Sequence, residues 1–306
     1  MPLQNMMEFQ IKAPATTANL GPGFDSLGLA LNLWNETNIT SADEFSVKVN
    51  GEGAGKLSGG KYNLIVRAAK KLADHVDVSL PPFHAECVNR IPLSSGLGSS
   101  SAAILTGLLA GNALLEKPLS NEEILNLAAG MESHADNIAS ALLGGLVVST
   151  IENGKVIARQ IPVGMDVHIT IALPDFYLPT RQARVALPRK VSMKNAVHNI
   201  SRSVLVTEAF RTGDLSLLGE AMTDKLHQPY RLKLIPGAQS AMEAAKETGA
   251  AAVALSGAGP SVVAFSSKAE AGIGESMKRA FEKVKLAARI FHLRVSSQGT
   301  EIQVIK

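Results

Sequence analysis

The segment PLSSGLGSSSAA, Pro92 to Ala103, constrains this chain more than any other. It lies between a strand-like run, Phe83 to Cys87, and an uncharged Ala/Leu-rich stretch that continues to Leu115. Gly96 and Gly98 let the main chain turn tightly and approach a ligand with no Cβ in the way. Ser99, Ser100 and Ser101 add hydroxyl donors. The helix predicted from about Ser100 supplies unsatisfied N–H groups and the positive end of a dipole. Together these features predict a phosphate cradle. A serine-capped helix after a loop is the simpler alternative, but three serines and two glycines exceed what capping needs. Two better-known phosphate loops fail the same test. GEGAGKL, from Gly51, has the wrong glycine spacing for a P-loop and Leu57 where a hydroxyl is required. The dinucleotide fingerprint breaks at Ser101, which stands in place of its third glycine.

The 306 residues suit two domains, and 46% hydrophobic residues supply material for their cores. With only 4% aromatics, those cores must be built from aliphatic side chains and alanine. A charged fraction of 19% argues against disorder. Thirty Lys plus Arg against 27 Asp plus Glu leave a formal +3, too weak and too evenly spread for a nucleic-acid surface. The one cysteine, Cys87, excludes an intrachain disulfide and a multi-cysteine metal cluster, and it suits a reducing compartment. Of the two long uncharged stretches, Ile91 to Leu115 becomes helical only from about Ser100, short of the roughly 20 residues a bilayer requires. Gly249 to Ser267 is broken by Gly257, Gly259 and Pro260. The opening MPLQNMMEFQIK lacks a basic region followed by an apolar core. We therefore expect no membrane partner and a cytoplasmic location; oligomeric state stays open, and a homodimer is compatible with the sequence.

Strands are predicted at Phe9 to Ala13, Phe45 to Val49 and Phe83 to Cys87, where apolar and polar residues alternate. Helical spacing of Leu64, Ile65, Ala68, Ala69, Leu72, Ala73 and Val76 predicts a helix over Asn63 to Val76. Ser120 and Glu123 have capping-box spacing, so a helix should run from there to about Met131. Asp136 starts a short helix ending at Gly144-Gly145, before a strand from Leu146 to Ile151. The second half reads strand (Val167 to Leu173), helices (Ser192 to Arg211, Leu215 to Leu226, Pro236 to Gly249), then strands at Ala251 to Leu255 and Ser261 to Phe265. A helix from about Ala269 to Val284 and a strand near Ile290 to Val295 complete it. This is the β-α-β-β-α-β order of a ferredoxin-like unit, and the class is α+β. Pro162 and Gly164 interrupt the periodicity, which sets the domains at 1–160 and 161–306.

Two further segments matter. LSGAGPSVVAF, Leu255 to Phe265, is a strand-turn-strand whose small residues suit either a hairpin corner or a wrapped ligand. PATTANLGPGFDSLGLAL, Pro14 to Leu31, joins a polar loop to a Gly-Pro turn and Asp25. With Pro92 to Ala103, these segments resemble the three motifs of the GHMP kinase superfamily, in the right order and spanning nearly the whole chain. Within it the similarity is strongest to homoserine kinases. ATTANLGPGFDSLGLAL matches almost throughout, as do His134-x-Asp136-Asn137, an Arg-x-x-x-Pro segment at Arg184 and an Arg-x-x-Leu-Ile-Pro segment at Arg231.

The resemblance implies a two-domain fold, with an N-terminal domain like ribosomal protein S5 domain 2 packed against a ferredoxin-like domain. It implies phosphorylation of the side-chain hydroxyl of L-homoserine by ATP with Mg²⁺, in threonine biosynthesis. On the nucleotide side it implies that Pro92, Leu93, Ser94, Ser95, Gly96, Leu97, Gly98, Ser99, Ser100, Ser101 and Ala102 wrap the triphosphate, with Asn63 near the adenine. Ser100 and Glu132 become the expected magnesium ligands, both hard oxygen donors. For the zwitterionic substrate it implies Arg184 and Arg231 at the carboxylate and Asp25 at the ammonium. Asn19, His134, Asn137 and Thr180 belong nearby, with Asn137 orienting the hydroxyl. Asp136 is the nearest acid by position, and no general base is assigned. Ser140 stands where the family often has proline, a departure that adds no ligand. Rival readings are another small-molecule kinase of the superfamily, of mevalonate or shikimate type, and an ATP-binding sensor without turnover.

Overall fold

The computed structural model describes residues 8–115, 119–132, 134–164, 166–269 and 271–305. The first half contains β1 (Glu8–Ala18), β2 (Leu27–Ser41), β3 (Ser46–Gly51), α1 (Leu64–His75), β4 (Phe83–Asn89) and α2 (Ser99–Leu114). It continues with α3 (Asn121–Glu132), α4 (Asp136–Leu143), β5 (Leu146–Glu152) and β6 (Lys155–Ile161). The second half runs β7 (His168–Pro174), α5 (Thr180–Val185), α6 (Met193–Thr212), α7 (Leu215–Ala221), α8 (Gln228–Arg231) and α9 (Ala238–Glu247). Then come β8 (Ala252–Leu255), β9 (Val262–Ser266), α10 (Ala271–Glu282), β10 (Ala288–Leu293) and β11 (Glu301–Val304).

One sheet has the order β11-β1-β2-β4-β3, with β5 on β2 and β6 on β5. Its pairs are antiparallel except β3–β4. The β1–β2 register shifts between Pro14 and Ala15. Proline has no N–H for the ladder, so the irregularity falls there. Beyond it Thr16, Thr17 and Ala18 pair with Ala30, Leu29 and Gly28, which aims the strand end at the loop of residues 19–26. Helix α2 carries no charge and is buried along residues 104–111; a helix apolar all round must lie inside the fold. Onto it α1 lays Ala68 and Leu72, and α3 lays Ile124 and Leu125. The capping box at Ser120 is formed, with Glu123 N donating to Ser120 Oγ at 3.3 Å and Ser120 N donating to Glu123 Oε2 at 2.8 Å.

The other sheet is antiparallel with order β10-β7-β9-β8. Helices α5 to α9 lie between β7 and β8, and α10 between β9 and β10. This is the ferredoxin-like unit, and the class is α+β as the element order predicts. The helix expected over Leu215 to Leu226 ends at Ala221. The Asp224 carboxylate instead accepts the N–H groups of Leu226, His227 and Gln228, which turns the chain and starts α8. One apolar cluster crosses between the sheets, joining Ala15, Leu29, Leu31 and Ile91 to Ile169, Ile171 and Phe210. The last strand, β11, returns to β1, with Phe9 opposite Val304. Among the described residues no helix is long and apolar enough to cross a membrane.

Candidate active site

The start of α2 is built to leave its amides free. Gly98 occupies the N-cap position with φ 71° and brings no side-chain cap. The left-handed conformation there suits glycine, and a Cβ would fall inside Thr16 Oγ1. The first N–H groups of a helix have no intrahelical acceptor, so those of Ser99 to Ser101 stay available at the positive dipole end. Upstream, Ser95 Oγ donates to Pro92 O at 2.8 Å and accepts Leu97 N at 3.3 Å. A Cβ at Gly96 (φ 79°) would collide with Ser256 O.

The three sequence motifs meet at this turn. Thr16 N donates to Leu97 O at 3.1 Å, and Ser256 Oγ donates to Gly96 O at 2.7 Å. Gly257 N donates to Ala18 O at 3.1 Å, and Asn19 Nδ2 donates to Gly257 O at 2.7 Å. Asn19 Oδ1 in turn accepts Asp25 N at 3.0 Å. Asn19, Leu20 and Asp25 all have positive φ (68°, 42° and 54°), strain that these cross-links sustain. The small residues of Leu255 to Phe265 thus join one strand loop to another across the cradle.

Beside the helix start, Glu132 accepts from both serine hydroxyls, from Ser100 Oγ through Oε1 and from Ser101 Oγ through Oε2 at 2.7 Å. Burial raises the Glu132 proton affinity, and the Ser101 hydrogen bond opposes it. Asp136 is buried, and its Oδ1 accepts Asn137 N at 2.8 Å and faces His134 Nδ1 at 3.2 Å. Burial alone would lower His134, but the Asp136 hydrogen bond and the charges of Asp136 and Glu132 raise it. Thr16 Oγ1 donates to Asn137 Oδ1 at 2.7 Å, which fixes the amide orientation.

The far end is charged. Arg184 grips Asp25 bidentately, Nη1 to Oδ2 at 2.8 Å and Nη2 to Oδ1 at 2.9 Å, with both side chains partly exposed. That hydrogen bond raises the Arg184 proton affinity. Arg231 is 1% exposed, donates to Gly257 O at 3.2 Å, and leaves Nε without a partner. Burial, then the neighbouring Arg184, lower it to about 10. His227 supports it from behind. Gly21 O can only accept, so His227 Nε2, 2.7 Å away, carries the proton. Nδ1 is then the acceptor for Arg231 Nη1 at 3.2 Å. Phe24 stacks on the His227 ring at 5.2 Å and underlies both guanidinium groups.

The chain matches the profile of the GHMP kinases N terminal domain over residues 63–145 and that of the GHMP kinases C terminal domain over 206–283. It is 43% identical to homoserine kinase of Moorella thermoacetica over 292 residues, covering 95% of this chain and 99% of that one. Against homoserine kinase of Carboxydothermus hydrogenoformans it is 41% identical, covering 94% of each. The chain belongs to the homoserine kinase family of GHMP kinases. The crystal structure of homoserine kinase from Cytophaga hutchinsonii superposes with a TM-score of 0.86 at 29% identity over 99% of both chains. The L. major mevalonate kinase, at 17% identity and a TM-score of 0.67, shares the fold. This chain is accordingly an ATP-dependent kinase acting on a hydroxyl group.

The kinase brings most of the sequence-predicted residues to one cavity of 580 Å³. Asn19, Asp25, the run from Ser94 to Ser101, Glu132, His134, Asn137, Thr180, Arg184 and Arg231 all line it. Pro92 and Leu93 line an adjoining cavity of 680 Å³ that shares Ser94. Ala102 is buried in the core behind the helix start. Asn63 stands apart from the first cavity: its Oδ1 caps α1 through Ile65 N at 3.0 Å, and its Nδ2 donates to Ser58 O at 2.7 Å. Thr16, Phe24 and Gly257 lie inside the sequence motifs with no site role predicted for them, and His227 lies outside the motifs. A histidine four residues before Arg231 was the available signal, since i and i+4 share a helix face.

Proposed function

We propose that this kinase transfers the γ-phosphoryl group of ATP to the side-chain hydroxyl of L-homoserine, giving O-phospho-L-homoserine for threonine biosynthesis. The reading is carried by one juxtaposition: a free helix N-terminus and a set of opposite charges fitted to a zwitterion line the same cavity. Arg231, buried with an unpartnered Nε, and Arg184 offer donors to a carboxylate, and Asp25 offers an acceptor to an ammonium group. Mevalonate, shikimate and galactose carry no ammonium group for Asp25 to accept.

In this reading the turn from Ser94 and the amides of Ser99 to Ser101 hold the triphosphate, and the base and sugar extend past Ser94 towards Pro92 and Leu93. The transition state of phosphoryl transfer is loose and spreads negative charge over equatorial oxygens, so positioning and charge neutralisation dominate. Asn137, oriented by Thr16 and Asp136, aligns the acceptor hydroxyl. Asp136 is buried behind His134 and Asn137, which favours orientation over proton abstraction.

Ser100 and Glu132 would hold Mg²⁺. A hydroxyl and a carboxylate side by side at the phosphate end form a hard-oxygen donor set that suits it. Among the described residues no group of three or more His, Cys, Asp or Glu could hold a metal by itself, so phosphate oxygens and water would complete the shell. The ion would neutralise phosphate charge in the transition state. Coupled ADP release with L-homoserine, mevalonate, shikimate and galactose tests the proposal. Turnover with homoserine alone is expected. Turnover with another alcohol but not homoserine refutes the substrate, and ATP binding without turnover on any refutes the reaction.

A further inference from the structure

Three arginines line the cavity, and two of them are tied down. Asp25 clasps Arg184 at 2.8 and 2.9 Å, and Arg231 is buried against His227 and Gly257 O. Arg181 is exposed, and its guanidinium has no hydrogen-bond or ion-pair partner among the described residues. His134 faces Asp136 at 3.2 Å, and among the described residues no lysine lines the cavity. Arg181 is therefore the one cation of the lining, among the described residues, that the chain does not itself engage.

The fold sets Arg181 towards the start of α2 rather than towards Asp25. Leu178 is buried beside the turn of Leu255 to Phe265, where a Cβ on Gly259 would lie 3.9 Å from Leu178 Cδ2. Gly259 O in turn lies 3.0 Å from where a Cβ of Gly96 would stand. The chain thus enters α5 near the Gly96 turn and reaches Asp25 only at Arg184, near its end. Residues three apart share a helix face, so Arg181 sits on the Arg184 side, about 4.5 Å back along the axis towards that turn.

That end of the cavity is short of positive charge. The amides of Ser99 to Ser101 carry partial charges only, and the side chain beside them is an acid, Glu132. A triphosphate brings more negative charge than one magnesium ion cancels, and phosphoryl transfer spreads that charge over the equatorial oxygens. A guanidinium can meet two such oxygens at once.

We propose that Arg181 is a catalytic residue that grips the γ-phosphoryl group of bound ATP and neutralises the charge on its oxygens during transfer. This rests on the reading that ATP and the acceptor alcohol meet in this cavity. In the step, the bond from the γ-phosphorus to the β,γ-bridging oxygen breaks and the alcohol oxygen takes its place. ADP, the phosphate ester and one proton result, and the proton passes to water. Arg181 exchanges no proton and acts by charge alone. Free of protein partners, it can follow the γ-phosphorus from donor to acceptor, which Arg184, held by Asp25, cannot.

Two measurements on the full chain test this, each comparing wild type with Arg181→Gln and Arg181→Lys. In steady-state kinetics with L-homoserine, Arg181→Gln should lower kcat by about 100-fold or more with KM for homoserine within about twofold, and Arg181→Lys should recover part of the loss. In calorimetry without any alcohol, Arg181→Gln should bind MgADP as wild type does, but a non-hydrolysable MgATP analogue about fivefold or more weakly. If wild type phosphorylates a different alcohol, the kinetics are run with that alcohol; the binding comparison needs no acceptor, so Arg181 is judged whether or not homoserine is the substrate. A kcat within about threefold of wild type, or equal weakening of the diphosphate and the triphosphate analogue, overturns the proposal. So does a raised KM for the alcohol at unchanged kcat, which would assign Arg181 to the acceptor instead.

Discussion

Acidification from about pH 7 to pH 4 should remove a stabilising contribution that belongs to one side chain, His227. Its side chain is fully buried, donates from Nε2 to Gly21 O at 2.7 Å and accepts Arg231 Nη1 at Nδ1. A second proton would have to displace the Arg231 contact and set two cations together. Burial first, and Arg231 in addition, lower the group from 6.5 to about 4 against the opposing pull of Asp224. In the unfolded chain the imidazole protonates near its ordinary value. Between those two values the unfolded state takes up a proton that the folded state refuses, so stability falls as pH falls. The contribution is fully present above pH 6.5 and is lost as pH drops through about 4. The separation amounts to about 3 kcal/mol, of which roughly half is gone by about pH 5.5. Urea unfolding of wild type and His227→Gln at about pH 7, 5.5 and 4 reads it directly. Glu132 and His134 titrate in both proteins and drop out of the difference. Wild type should lose about 3 kcal/mol more than the variant over this range. Parallel curves would refute the assignment of His227 as a neutral support for Arg231.

Three substitutions probe the rest of the site. Gly98→Ala, which puts a Cβ inside Thr16 Oγ1 at a positive φ, should lower kcat/KM for ATP by about tenfold or more in steady-state kinetics. Arg184→Ala removes a charge-assisted contact of about 1.5–3 kcal/mol, so KM for homoserine should rise about 10- to 100-fold while KM for ATP changes little. Calorimetry showing equal loss for both ligands would count against that division. Ser100→Ala should lower kcat and raise the magnesium concentration needed for half-maximal turnover; unchanged values would remove the hydroxyl from the metal's ligands.

The cradle is legible in sequence because its causes are local. Glycines at positive φ, serines and an uncharged helix follow one another in the chain, and a reader of PLSSGLGSSSAA needs nothing distant. The capping box at Ser120 is legible for the same reason. Strand β2 is harder. Its first five residues, Leu27 to Leu31, are all buried, so the two-residue alternation that marks a half-buried strand is missing where it would help. Long-range pairing hides the remainder. Asp25 and Arg184 are 159 positions apart, and nothing in either segment says that each charge already grips the other. His227 meets Gly21 across 206 positions, and a lone histidine in HQPYR carries no mark of its tautomer or burial. The resemblance to GHMP kinases supplied these arginines as candidates; only the fold supplies what holds them in place.

The central claim is that the free amides at the start of α2 bind the terminal phosphates in line with a zwitterion held by Arg184, Arg231 and Asp25. A crystal structure with a non-hydrolysable ATP analogue, Mg²⁺ and L-homoserine tests it most directly. The β- and γ-phosphate oxygens should lie within about 3 Å of the Ser99 to Ser101 N–H groups, with the homoserine hydroxyl facing the γ-phosphorus. Phosphates bound away from that turn, or homoserine with its carboxylate remote from both arginines, would contradict it.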